Sequence, residues 1–408
     1  MPLTKKMKMK PSEQFVCSKL FRDLIIKFPN EGIKNCCKTI DINNIPVEDI
    51  TLDFFSNNPR YLTNQKTMLF GNQLPNPTCE TCIQAEPHSL FRSWNRFGWL
   101  DDNQKQKLYG ADNITTFEFM LSSACDLKCV YCSPKDSSAW AKEIGEPVRK
   151  PRPEWKEHVK KVLFTYFENK KWNTQEMHWF YFTGGEPTYN LEMVNFIEDI
   201  MSRVPYTIEK VVILNSNLNT RPVVLERFLR YVKNNPTTNF GINASLDSLE
   251  ERCEAIRYGL NWKRAMVNLH RYFEFNNVQV FLSPTVNMLS VPDMLEYITY
   301  FKEIYDSNNK LLHFNENMVA EPKLSPTSML PEHKTMLDSA IKYCKQHNID
   351  YHNHLVHIRK LIGTDNTPDT RTKVKEHLEY LEFHRPNTKW RQLFPHIENI
   401  INGSTQTC

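Results

Sequence analysis

Apolar and polar residues follow two alternating periodicities from Thr115 onward. Short apolar runs typical of buried strands are followed by longer stretches with apolar residues at helical spacing. The predicted strands are 116–122, 178–183, 210–215, 239–245, 278–284 and 312–317, and the predicted helices are 154–168, 190–202, 222–233, 249–274 and 292–304. This alternation predicts an α/β fold with a parallel sheet and right-handed crossovers. Six such units correspond to a partial (β/α)6 barrel of the TIM type, open on one side.

The pattern changes on both sides of the predicted barrel. The expected divisions are a disordered basic tail (1–14), a small cysteine-rich domain (15–98), a polar linker (99–114), the barrel (115–318) and a C-terminal helical extension (319–408). In barrels of this kind ligands bind at the carboxyl ends of the strands. Loops that follow the predicted strands are therefore where functional residues are expected.

Composition narrows the class of protein. The net charge of +4 over 408 residues is small, so it does not by itself indicate a nucleic-acid partner. No apolar run reaches the ~18 residues of a membrane span, and no apolar core of a secretory signal follows the lysines of the tail. Eleven cysteines, eight of them in two groups, indicate thiolate ligands in a reducing compartment. We expect a cytoplasmic protein, in the host cytoplasm if its origin is viral.

The loop after the first predicted barrel strand carries three cysteines as C-x3-C-x2-C, at Cys125, Cys129 and Cys132. Three thiolates on one short loop can converge on a metal centre and leave one ligand position open. A structural zinc site instead needs a closed set of four ligands, and no fourth Cys or His lies within short reach. The spacing favours an iron–sulfur cluster over zinc, and the zinc alternative stays open.

A second motif, TGGEP at Thr183–Pro187, follows the next predicted strand. Together with CDLKCVYC, it resembles the motifs of the radical S-adenosylmethionine (SAM) superfamily. The resemblance implies that the three cysteines hold a 4Fe-4S cluster whose remaining iron is chelated by SAM. It implies further SAM-binding residues at Tyr131, Gly184, Gly185, Glu186, Pro187, Ser216, Asn217, Ser245 and Arg257. Ser216, Asn217 and Ser245 have an alternative role as helix caps.

The N-terminal cysteines form the second group. Cys17, the neighbours Cys36 and Cys37, and the C-x2-C pair Cys79 and Cys82 fit a zinc ribbon or knuckle. They also resemble the auxiliary iron–sulfur module of twitch/SPASM radical SAM proteins, here placed before the barrel, as in a subgroup common in phage genomes. That resemblance implies a cluster held by Cys17, Cys79, Cys82 and one of Cys36 and Cys37. Adjacent side chains point in different directions, so sequence alone does not choose between those two.

The implied function is a radical SAM oxidoreductase or maturase. It would cleave SAM reductively to a 5′-deoxyadenosyl radical, which abstracts hydrogen from a peptide or small-molecule substrate. A flavodoxin or ferredoxin would supply the electron. Two alternatives remain: a radical SAM enzyme acting on a nucleotide or nucleic acid, and a zinc-stabilised binding protein without catalytic activity. No residue identifies the substrate or a catalytic acid, base or second radical donor.

Overall fold

The computed structural model describes residues 16–36, 45–54, 58–71, 74, 79, 96–97, 100–110 and 113–403. Its strands are β1 (Val16–Cys17), β2 (Asp23–Lys27), β3 (Gly32–Lys34), β4 (Arg96–Phe97), β5 (Thr116–Met120), β6 (His178–Thr183), β7 (Lys210–Ser216), β8 (Asn239–Ala244), β9 (Val278–Leu282), β10 (Thr285–Val286) and β11 (Asn317–Met318). The predicted tail, 1–14, lies outside the described residues.

The helices up to the end of the sheet-forming region include several that match the predicted amphipathic stretches. They are α1 (Lys19–Arg22), α2 (Pro59–Leu69), α3 (Asp102–Leu108), α4 (Ser138–Glu143), α5 (Pro153–Asn169), α6 (Leu191–Met201), α7 (Pro222–Asn234), α8 (Glu250–Ile256), α9 (Trp262–Phe273) and α10 (Met294–Ser307). Those that follow are α11 (Asp338–Gln346), α12 (His352–Leu361), α13 (Pro368–His384), α14 (Trp390–Leu393) and α15 (His396–Asn402). No helix in these ranges combines the length and the apolar character needed to span a bilayer.

The largest sheet among the described residues has seven strands in the order β3-β2-β5-β6-β7-β8-β9. The pairs β2–β5, β5–β6 and β8–β9 are parallel, and β2–β3 is antiparallel. This mostly parallel sheet is consistent with the predicted α/β barrel architecture. The sixth predicted strand, 312–317, was wrong as a sheet strand: Phe314 makes one isolated bridge to Leu282, and β11 pairs only with β10.

The chain divides into two compact units, residues 1–123, 149–187 and 192–213, and residues 124–148, 188–191 and 214–408. In the first unit, alternate residues of β5 and β6 are buried. Phe117 stacks on Phe180 and Phe119 on Phe182, with ring centroids 5.2 and 5.3 Å apart. These pairs are register partners in the parallel ladder, so packing and hydrogen bonding fix the same alignment.

In the second unit, buried tyrosines of α10 bind backbone carbonyls left open by loops and strands. The hydroxyl of Tyr297 donates to Leu246 O at 2.9 Å, and that of Tyr305 donates to Val280 O at 3.1 Å. Both tyrosines are fully buried. Each phenol therefore fills apolar space with its ring and satisfies a buried acceptor with its hydroxyl. These contacts hold α10 against β9 and against the loop that follows β8.

Three histidines of the second unit bind protons less readily in the folded chain than in the unfolded chain. His354, His377 and His396 contact the carbonyls of Asn317, Val130 and Met288 at 3.2, 3.1 and 2.9 Å. Burial lowers the pKa of each from 6.5 to about 4. Between these values the unfolded chain binds more protons than the folded chain, so stability is present above pH 6.5 and is lost as the pH falls toward 4.

We expect each of these histidines to cost about 2 kcal/mol of unfolding free energy between pH 7.5 and pH 5. Urea unfolding at the two pH values measures the total loss. His396→Gln removes one of these titrating groups and should reduce that loss by about 2 kcal/mol. Equal losses in the variant and the parent chain would contradict the assignment.

Candidate functional site

The cysteine loop lies in the second unit and is fixed by backbone hydrogen bonds on both sides of Cys129. Lys128 N donates to Tyr258 O at 2.8 Å, and Val130 N donates to Ile256 O at 2.9 Å. The amide of Cys132 closes a turn onto Cys129 O at 3.0 Å. The loop is thus bound to the segment between α8 and α9, where the predicted helix 249–274 is interrupted.

Gly259 permits this close approach. Its φ is +102°, and a Cβ at this position would lie 3.0 Å from Asp126 O in the cysteine loop. Such a φ strains any residue with a side chain, and the distance leaves no room for one. The break between α8 and α9 therefore allows the backbone of residues 256–259 to pack against the cysteine loop.

Two of the three sulfur atoms of the loop, those of Cys125 and Cys129, accept hydrogen bonds from backbone and side chains. Leu127 N donates to Cys125 Sγ at 3.4 Å, and Arg257 Nη1 donates to Cys129 Sγ at 3.8 Å. The amide of Asn217 lies 4.0 Å from Cys125 Sγ. Donors aimed at sulfur stabilise the negative charge of a thiolate, as groups that hydrogen-bond to the ligands of a metal do.

The same thiols lie in a poorly solvated environment. Burial raises the pKa of Cys129, and burial together with the neighbouring Cys129 raises the pKa of Cys132 to about 12. A bound cation reverses this because it deprotonates the thiols that ligate it. The donor set of three thiols with hydrogen bonds to sulfur fits a thiolate-ligated metal centre. Among the described residues, no three His, Cys, Asp or Glu side chains are already gathered as a metal-binding group.

Asp247 is the centre of the polar network beside the cysteines. It is fully buried and accepts from Tyr131 Oη at 2.6 Å, Arg257 Nη2 at 2.9 Å and Thr285 N at 2.8 Å. Burial opposes the charge of Arg257, but Asp247, Tyr131 and Cys129 together raise its pKa well above the usual value. Arg257 is therefore a permanent cation. It bonds both to Asp247, in the loop after β8, and to the sulfur of Cys129.

The predicted SAM contacts Ser216, Asn217 and Ser245 lie at the ends of β7 and β8. Ser216 O accepts from Ser245 N at 2.8 Å, and Asn217 Nδ2 donates to Asp126 Oδ1 at 3.1 Å. The capping alternative was wrong for the helices in question. The N-caps of α7 and α8 are Arg221 and Leu249, and neither has a side-chain cap bond.

The GGEP loop belongs to the first unit and begins where β6 ends. Met120 and Thr183 are register partners, and Leu121 N donates to Thr183 O at 3.0 Å, so this loop and residues 121–123 leave the same edge of the sheet. Gly184 and Gly185 have φ values of +80° and +54°. Glu186 is 2% exposed. The two glycines allow the turn that carries Glu186 and Pro187 away from β6.

Gly184→Ala should destabilise the chain by about 2 kcal/mol. Besides the positive φ, a Cβ at this position would lie 3.0 Å from Ser122 O and 3.2 Å from Met120 Cα. Gly145→Ala is the matched control because Gly145 has a similar φ of +73° with open space around it. Urea unfolding should show a loss of about 1 kcal/mol for the control. Equal losses of unfolding free energy in both variants would contradict a steric role for the close packing around Gly184.

The N-terminal cysteines are described only in part. Cys36 is buried with Val16, Leu20, Phe21, Met68 and Leu69, and Cys17 packs against this group. Burial raises the pKa of Cys17 to about 11, and the thiol of Cys79 contributes to that rise. Cys37 and Cys82 lie outside the described residues. The proximity of Cys17 and Cys79 is compatible with a shared site, while the choice between Cys36 and Cys37 stays a prediction.

Two residues near the cysteine loop were missed by sequence reasoning as site residues. Asp247 and Asp126 each join the loop to a strand end: Asn219 Nδ2 donates to Asp126 Oδ2 at 2.6 Å, beside the Asn217 bond. Asp126 stands inside the cysteine motif, and Asp247 follows a strand that ends in small polar residues. The carboxylate at each of these two positions is the sequence feature that could have identified them as site residues.

Comparisons with known proteins were made for the whole chain. Residues 120–298 match the sequence model of the Radical SAM superfamily, so the chain contains a domain of that superfamily. One similar solved structure, native anSMEcpe with bound AdoMet, is 18% identical with a TM-score of 0.42, over 57% of this chain and 60% of that chain. Native anSMEcpe with bound AdoMet and Cp18Cys peptide is 19% identical with a TM-score of 0.40, over 57% and 59%.

The chain thus spans about three fifths of the length of those structures. A search of curated proteins finds no match. The predicted resemblance is confirmed at the level of the superfamily domain, and the twitch subgroup stays a prediction.

Proposed function

We propose that this chain is a radical SAM enzyme whose cluster is held by Cys125, Cys129 and Cys132. The observation that carries the proposal is that these cysteines fall inside the superfamily domain at 120–298, on a loop where the sulfur atoms of Cys125 and Cys129 accept hydrogen bonds. When bound, a 4Fe-4S cluster and SAM together supply a 5′-deoxyadenosyl radical that takes hydrogen from a substrate. The residues of the chain position these groups and exclude water from them.

The residues divide into those that hold the metal and those that orient SAM. The three thiolates would leave one iron position for SAM, whose methionine group the Gly184–Pro187 loop would bind through its backbone. Tyr131, Ser216, Asn217 and Ser245 are proposed as further contacts. Arg257 is engaged by Asp247 and lies 3.8 Å from Cys129 Sγ, which supports a role in stabilising thiolate charge. Its proposed contact with the SAM carboxylate would use a guanidinium already oriented by Asp247.

An auxiliary cluster is the second part of the proposal. Cys17, Cys79, Cys82 and one of Cys36 and Cys37 would hold it, and the proximity of the Cys17 and Cys79 thiols supports this. Such a cluster could bind substrate or accept an electron from a substrate radical. The proposed substrate is a peptide or a small metabolite, and the proposed electron donor is a flavodoxin or ferredoxin. A nucleotide substrate is the alternative within the same chemistry.

Anaerobic purification followed by metal analysis and a SAM-cleavage assay tests the function. We expect a brown protein that contains iron and sulfide and converts SAM to 5′-deoxyadenosine and methionine under dithionite. Iron above the content of one four-iron cluster would support the auxiliary site. A colourless protein that binds zinc and leaves SAM intact would contradict the proposal and favour a zinc-stabilised binding protein.

A further inference from the structure

A fully buried arginine lies just after α13, in the second unit. Arg385 has no exposed surface, and its Nη2 donates to Glu143 Oε1 at 3.2 Å. Its Nε and Nη1 make no hydrogen bond to any described residue. Burying a guanidinium with so few partners is costly, and an apolar side chain would fill this volume at lower cost. The charge of Arg385 therefore calls for an explanation beyond packing.

The surroundings of Arg385 connect it to Cys129. Its guanidinium carbon lies 4.8 Å from the ring centroids of both Trp140 and Tyr258, a cation–π arrangement with two rings. Trp140 Nε1 donates to Cys129 O at 2.7 Å, and Tyr258 O accepts from Lys128 N at 2.8 Å. The residues that enclose the cation thus bind the backbone of Lys128 and of Cys129.

The local charges do not cancel. Glu143, whose side chain is 6% exposed, pairs with both Arg385 and Lys128. One carboxylate therefore faces two cations, which leaves an excess of one positive charge behind the loop. Because Arg385 is enclosed and Glu143 nearly so, solvent and salt screen this charge poorly. His377 fastens α13 to the same loop through Val130 O, so the cation is held at a fixed position.

We infer that Arg385 is a positioning and electrostatic residue that raises the reduction potential of the metal centre at Cys129. The inference rests on the proposed function, since it concerns the cluster that the three cysteines would hold. Reduction adds one negative charge to such a cluster, and a fixed buried cation stabilises the reduced form more than the oxidised form. Arg385 would thus make electron delivery easier without touching SAM or substrate.

Two variants that change the local charge in opposite directions test this inference on the full chain. Arg385→Met removes the cation and keeps an unbranched side chain, whereas Glu143→Gln removes the anion. The midpoint potential is measured by electron paramagnetic resonance during a redox titration of anaerobically reconstituted protein. We expect Arg385→Met to lower the ratio of reduced to oxidised cluster about tenfold at a fixed poise, a shift of 59 mV for one electron. Glu143→Gln should shift the potential the other way.

Matched controls separate charge from packing. Arg385→Lys keeps the charge and should restore most of the parent potential. Lys375→Met removes a positive charge from the exposed face of α13, where the lysine side chain is 57% exposed, and should leave the potential unchanged. If Arg385→Met and Glu143→Gln shifted the midpoint potential in the same direction, the cause would be a structural disturbance and the inference would be overturned. The inference would also be overturned if both variants kept the midpoint potential of the parent.

The outcomes remain distinguishable if one variant fails to fold. If Arg385→Met does not fold, Glu143→Gln alone tests the inference. A midpoint potential above that of the parent supports the inference, and an unchanged or lower one overturns it. A parent chain without iron and sulfide would overturn the inference and the proposed function together. A parent that cleaves SAM, with variants that keep its potential, would overturn only the inference.

Discussion

Cys129→Ala is expected to lower reductive SAM cleavage by more than about 100-fold, a loss larger than that usually caused by removing a group that hydrogen-bonds to a metal ligand. Cys129 is the most enclosed cysteine of its loop, and its neighbours Arg257 and Trp140 are arranged around its sulfur and carbonyl. Alanine removes the thiolate, so Arg257 Nη1 loses its sulfur acceptor, while the backbone carbonyl that Trp140 binds is kept. Formation of 5′-deoxyadenosine under dithionite, measured after anaerobic reconstitution, gives the loss directly.

Cys344→Ala is the matched control. Cys344 is a buried thiol of α11, outside the cysteine loop, and its loss should leave iron content and SAM cleavage at parent levels. Cleavage by Cys129→Ala at the parent rate would exclude the loop as the cluster site. Iron content of the two variants, measured on the same samples, distinguishes a missing ligand from a general loss of folded protein.

Asp247→Ala should cost about 3–5 kcal/mol of unfolding free energy, the usual penalty for leaving one member of a buried ion pair without its partner. Asp247 is fully enclosed and accepts from Tyr131, Arg257 and Thr285. Without it, the charge of Arg257 is buried beside apolar groups, and the hydroxyl of Tyr131 loses its acceptor. The midpoint of urea unfolding measures the effect.

Asp369→Ala provides the comparison on the surface. Asp369 pairs with Lys373 at 2.7 Å, but its side chain is 75% exposed, so its removal should change stability by less than about 1 kcal/mol. If Asp247→Ala were as mild as this control, the network around Asp247 would not be what secures the cysteine loop. Asp247→Asn should fall between the two because it keeps an acceptor for Tyr131 and loses the charge.

Sequence periodicity placed most elements of the sheet-forming region closely. The predicted strand 178–183 coincides with β6, and the predicted helix 222–233 differs from α7 by one residue. Long amphipathic stretches and short apolar runs can be recognised from the local sequence, because the burial of one helix face or of a whole strand determines the pattern of consecutive residues. The three cysteines and GGEP could likewise be assigned to loops after strands.

Features that depend on distant segments could not be predicted in the same way. The predicted helix 249–274 is interrupted between Ile256 and Trp262, where Gly259 lies against Asp126 O, and the local sequence pattern does not predict that neighbour. Residues 23–27 form β2 beside β5, which lies far along the chain, and no local pattern predicts that pairing. Asp247 appeared as one of several polar residues after a strand, since its burial depends on Tyr131, Arg257 and Thr285 meeting in space.

The pairing of β2 with β5 has a practical consequence for anyone who shortens this protein. Strand β5 leads into the cysteine loop, and five residues of β2 cover its outer hydrogen-bonding edge, from Asp23 opposite Thr116 to Lys27 opposite Met120. A fragment that started near residue 100 would expose that row of amides and carbonyls as an open template for self-association. A shortened chain that keeps the superfamily domain should therefore retain the first strands, either in the same polypeptide or as an added peptide.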